Sequence, residues 1–96
     1  MEIDTHPLTM RLKVTHTGLS LLRHVSTSYM ASRIREEGEP DGDGWQVVSV
    51  PGESLWAAAS LVMRLGPDAE VLEPPELRAR IIGWLDRLQA LYARPG

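Results

Sequence analysis

The stretch GPDAEVLEPPELR, Gly66 to Arg78, constrains the fold more than any other part of this chain. Gly66 closes an apolar-periodic run, and Pro67 forbids a helix from continuing past it. Ala69 to Leu72 then has strand composition, and Pro75 suits the first position of a helix because its missing N–H has no partner there. A helix end, a strand of about four residues and a helix start follow with no spare residues. Gly66 is expected to adopt a positive φ as the helix terminator. No residue in the stretch reads as a nucleophile, a metal ligand or a phosphate cradle, so its tightness is read as a packing requirement.

The remaining patterns fit around this junction. Leu8 to Thr15 alternates, with Leu8, Met10, Leu12 and Val14 on one face and Thr9, Arg11, Lys13 and Thr15 on the other, as in a half-buried strand. Thr17-Gly18 opens a short helix, Leu19 to Val25. Tyr29 to Glu36 reads as a second strand, with Met30 and Ile34 inward and Tyr29, Ala31, Arg33 and Arg35 outward. The loop EEGEPDGDG carries Asp-Gly turn chemistry between antiparallel strands. Trp45 to Val50 is a third strand whose inward face is ambiguous, and Pro51-Gly52 breaks it. Glu53 or Ser54 caps a helix to about Leu65, with Leu55, Ala58, Ala59, Val62 and Leu65 as its buried stripe and Trp56 and Met63 beside it. The last helix runs from Pro75 to about Tyr92 with Leu77, Ile81, Trp84, Leu85, Leu88, Leu91 and Tyr92 at spacings of three and four, and Glu76 and Arg80 spaced to pair. The order predicts an α+β, ferredoxin-like βαββαβ sheet, helices on one face, plus a C-terminal helix.

With 96 residues, the chain fits one domain, expected at 8–94 behind an arm or linker at 1–7. It has no cysteine, which removes disulfides and thiolate zinc sites and fits a reducing cytoplasm. No apolar run approaches the roughly 18 residues that span a bilayer, so no membrane association is expected. His6, His16 and His24 match no metal-binding spacing. Ser20, Ser54 and Ser60 lack an elbow motif, and no glycine run forms a phosphate loop. Neither catalysis, nor a metal, nor a cofactor is expected. The acidic loop, Glu36 to Asp43, reads as a solvated turn.

Two surfaces carry the remaining signal. Arg11, Lys13, Arg33 and Arg35 would share the open face of the sheet, near Tyr29 or Trp45. Cations interleaved with aromatic rings hold single-stranded nucleic acid, and the bland alternative is a solvated or protein-covered face. Trp84, Leu88 and Tyr92 on the last helix either cover the core or meet a partner.

The run GWQVVSV, followed by SLWAAASLVMRLGPDAEVLEPPELRARI and Tyr92, resembles the C-terminal extension, or WCX domain, of WYL-domain bacterial transcriptional regulators. The similarity rests on Asp43-Gly44-Trp45, Leu65-Gly66, Glu70-Val71-Leu72, Pro75-Glu76-Leu77 and Tyr92. It implies a cytoplasmic, non-catalytic module contributing to dimerisation and effector response, with a WYL domain as partner and a homodimer as assembly. It also keeps single-stranded nucleic acid as an alternative effector. The chain shows no helix-turn-helix and no Trp-Tyr-Leu run, so an excised domain or a stand-alone remnant is expected and operator recognition is not carried over.

Overall fold

A computed structural model describes residues 8–95; the expected arm at 1–7 and Gly96 lie outside the described residues. The strands are β1 (Leu8–Val14), β2 (Arg35–Glu37), β3 (Gln46–Gly52) and β4 (Ala69–Glu73), and the helices are α1 (His16–Val25), α2 (Ser28–Ala31), α3 (Leu55–Leu65) and α4 (Pro75–Tyr92). The four strands form one sheet in the order β2-β3-β1-β4 with every neighbour antiparallel, so the first and third strands are central. Alternation in β1 becomes a sided strand: Met10, Leu12 and Val14 are fully buried against Val48, Val50, Leu22 and the α3 residues Ala58, Ala59, Val62 and Leu65. Burying such side chains is the main favourable contribution to folding, about 1.5–3 kcal/mol each.

Helix starts follow the local chemistry. Thr15 caps α1, its hydroxyl accepting the Gly18 N–H at 2.9 Å, so this helix begins earlier than the spacing predicts. Ser54 caps α3 through the Ala57 N–H at 3.0 Å. Gly66 takes φ 63°, the positive value expected of the residue that ends α3. A 3-10 turn, Gly66–Asp68, leads directly into β4, and Leu77 at the start of α4 is fully buried.

Three expectations are corrected. Tyr29 to Glu36 is not a strand. Thr27 caps the single turn α2 by accepting the Met30 N–H at 3.2 Å, and only Arg35–Glu37 pairs with β3. Met30 and Ile34, both packed against the core, are four residues apart, a spacing that a strand and a helix share, so periodicity alone did not separate them. Pro51-Gly52 does not break β3: Thr9 pairs with Pro51 and Leu8 with Gly52. The pairing of β2 stops at Ser49, so Pro51 has no strand on that side and its missing N–H costs no ladder bond. Glu76 and Arg80 form no ion pair among the described residues.

Candidate interaction surfaces

The open face of the sheet carries alternating charge. Register places Arg35, Ser49, Arg11 and Glu73 in one row across all four strands, and Glu37, Val47 and Lys13 in the next. Arg11 is held on both sides. Its Nη2 lies 3.0 Å from Glu37 Oε1 and its Nη1 3.0 Å from Glu73 Oε2. Glu37, then Glu73, push the Arg11 pKa further above its ordinary value, so it stays fully charged. Lys13 Nζ is 3.8 Å from Asp41 Oδ2 and 5.6 Å from the centre of the Trp45 ring. Arg33 is not on a strand. Its guanidinium stacks 3.6 Å from the Tyr29 ring centre and donates to the Tyr29 carbonyl at 3.2 Å. Arg35 is exposed and makes no ion pair among the described residues. Register thus brings Arg11, Lys13 and Arg35 together and leaves Arg33 outside, while Glu37, Glu73 and Asp41 answer two of the three sheet cations.

The acidic loop is more ordered than a run of like charges suggests. Asp41 Oδ1 accepts the N–H groups of Asp43 and Trp45, both at 2.9 Å, and the Asp41 N–H donates to the Trp45 carbonyl at 2.8 Å. Gly38 and Gly44 take positive φ, 72° and 84°. The Trp45 N–H foremost, then the Asp43 N–H and the Lys13 ammonium, hold the Asp41 carboxyl below its ordinary range. A carboxylate depressed in the folded state stabilises it above the unfolded pKa of about 4, and that stabilisation is lost as pH falls through the lower folded value. The Asp43 and Trp45 amides should therefore lose hydrogen-exchange protection on acidification below about pH 4. Asp41→Asn should flatten that dependence, and an unchanged acid limb in this variant would assign the transition to another group.

The second surface is α4. Leu77, Ile81, Trp84, Leu88 and Leu91 follow one another at helical spacing on a single face, with Leu85 and Tyr92 at its margin. The core lies under only the first half of that stripe. Leu77 is buried, and Ile81 and Trp84 pack against the core cluster. Beyond them Leu85 is 50% exposed, Leu91 57% and Tyr92 86%, and Leu88 is half-buried outside the cluster. Of the two readings of these residues, covering the core holds for Trp84 and not for Tyr92. Two turns of apolar stripe overhang the body, with a notch between Trp84, Arg87, Leu88 and Leu91. Sequence reading missed Arg78, which secures the other side of α4. Its Nη1 donates to the Val71 carbonyl at 2.7 Å and to Glu70 Oε2 at 2.9 Å, blunting the edge of β4.

His16 and His24 are exposed on α1, His6 lies outside the described residues, and Ser54 is engaged as a helix cap. Among the described residues no cluster of His, Asp and Glu is placed to hold a metal ion, and no helix is long and apolar enough to cross a membrane.

By architecture this is a small α+β domain: one four-stranded antiparallel sheet, a helical layer and a terminal helix that overshoots it. A family model, WCX domain, matches residues 6–89, most of the chain, and the chain belongs to the WCX domain family, a family of regulatory domains. No curated protein and no solved structure matches it.

Proposed function

We propose that this domain is the regulatory and assembly module of a WYL-type transcriptional regulator, non-catalytic, and that it holds a protein partner on the overhanging end of α4. The observation that carries this reading is the continuity of the stripe past the end of the core. Leu85, Leu88, Leu91 and Tyr92 extend the buried face of a helix into solvent, and a helix face of that kind is the usual recognition element for another apolar surface. Family membership supports the regulatory role, and a WYL domain or a second copy is the partner the reading expects. The strand and helix order, with β1 and β3 central, supports a ferredoxin-like plan, which leaves α4 as an addition free to serve assembly.

The alternative, a single-stranded nucleic-acid effector held by Arg11, Lys13, Arg33 and Arg35, has weaker support. A phosphate backbone would have to displace Glu37, Glu73 and Asp41 from the two central cations, and Arg33 is committed to Tyr29.

The test is light scattering of the purified domain, alone over a wide concentration range and with a supplied WYL domain. A complex should form in at least one setting. A Leu88→Glu/Leu91→Glu variant should weaken it on the order of a hundredfold, because two charges replace side chains whose burial is worth 1.5–3 kcal/mol each. A chain that stays monomeric at every concentration and ignores the WYL domain would remove the assembly role.

A further inference from the structure

Beside the overhang, a different flank of α4 forms a groove against the start of α3. It is a shallow depression of about 610 Å3, largely open to solvent, lined by Leu55, Gly83 and Trp84 with Glu76, Arg80 and Arg87. Three observations make it more than an irregular surface. First, Arg80 and Arg87 carry no ion pair among the described residues, whereas Arg11, Lys13, Arg23 and Arg78 each hold a carboxylate. Second, Arg80 and Arg87 are seven residues apart, so both project from the same side of the helix about 10.5 Å apart along its axis. Third, Gly83 sits in the middle of α4, where glycine costs about 1 kcal/mol relative to alanine. A side chain there would meet nothing within 4 Å. Nothing in the chain's own packing calls for that glycine; its effect is to keep the floor of the groove low between the two cations.

We propose that this groove is a docking site for an acidic amphipathic helix of a partner protein. Two carboxylates seven positions apart pair with Arg80 and Arg87, and an apolar side chain between them lies on Gly83 against Leu55 and Trp84. The charge requires an acidic occupant and the apolar walls require side chains between the charges, which fits helix-in-groove recognition. A phosphate backbone fits less well, because it offers no apolar group to Leu55 and Trp84; Glu76, also in the lining, faces any acidic occupant alike. This surface shares Trp84 and Arg87 with the notch of the α4 overhang but not Leu88 or Leu91, so Gly83→Leu probes the groove and Leu91→Glu the overhang.

The experiment is fluorescence anisotropy with a labelled synthetic peptide of about 14 residues, a length at which helix formation becomes feasible. It carries two glutamates seven positions apart with a leucine between them. A counterpart with lysines in place of the glutamates and a labelled oligothymidylate are run beside it. The glutamate peptide should bind the full chain. An Arg80→Glu/Arg87→Glu variant should bind it roughly tenfold more weakly or worse and should prefer the lysine peptide. These residues are exposed, so circular dichroism should show an unchanged fold. Gly83→Leu, which fills the floor and keeps both arginines, should also abolish binding, while Leu91→Glu should not affect it. The proposal is overturned if the glutamate peptide does not bind, if it binds the charge-reversed or Gly83→Leu variants equally, or if the oligothymidylate binds with the same dependence on Arg80 and Arg87.

Discussion

Replacing Gly18 by alanine should destabilise the domain by about 2–3 kcal/mol, a large effect for one methyl group. Gly18 is buried in the first turn of α1 and does not take a positive φ, so the backbone itself suits any residue. What excludes a side chain is distance. A Cβ at this position would overlap the Asp68 carbonyl oxygen and press on its carbon and Cβ, each 3.1 Å away. The obstacle is backbone, so it cannot swing aside. It is also pinned: Asp68 O accepts the Thr15 N–H at 3.0 Å, and Asp68 Oδ1 accepts the Thr15 hydroxyl at 2.9 Å. The same hydroxyl accepts the Gly18 N–H, so the start of α1 and the turn after α3 form one knot. Urea unfolding measures the loss. A cost under about 0.5 kcal/mol, the range of an unconstrained surface change, would show that the two segments do not touch.

Along α4, truncation should read out where the core ends. Leu77→Ala should cost about 2–4 kcal/mol, since it removes a fully buried side chain and leaves a cavity. Leu88→Ala, about three turns further on, should cost under about 0.5 kcal/mol in the monomer, because that side chain lies outside the core cluster. Denaturant midpoints at low protein concentration give both numbers. Equal costs at the two positions would mean that the second half of the helix is packed and the overhang is not real. A Leu88→Ala cost that grows with protein concentration would instead report the partner contact.

β1, the Gly66–Pro75 junction and α4 were legible for a common reason. In β1 and α4 the apolar spacing repeats long enough that only one period fits, and in the Gly66–Pro75 junction each residue has a single backbone use. The segment between α1 and β3 was not. Met30 and Ile34 satisfy two periods at once, and the deciding evidence was a threonine cap and an arginine stacked on a tyrosine, interactions of local geometry that alternation does not encode. The candidate surfaces divide the same way. Trp84, Leu88 and Tyr92 were visible as a stripe, but whether a stripe is core or interface depends on what lies beneath it.

Sequence alone determined the buried faces of β1, α3 and α4 and the turn at Gly66, because those depend on dihedral preferences and on neighbours within a few positions. Tertiary structure decided which of those faces remained in use. Pairing of β1 with β4 and alignment of β1 with β2 across β3 set Arg11 between Glu37 and Glu73, residues 26 and 62 positions away. That turned an apparent row of cations into a charge-balanced face. The packing of α4 against the sheet and α3 ended the core cluster at Trp84 and left Leu85, Leu91 and Tyr92 at least half exposed. Charge neutralisation and burial are properties of space between elements, and no local pattern carries them.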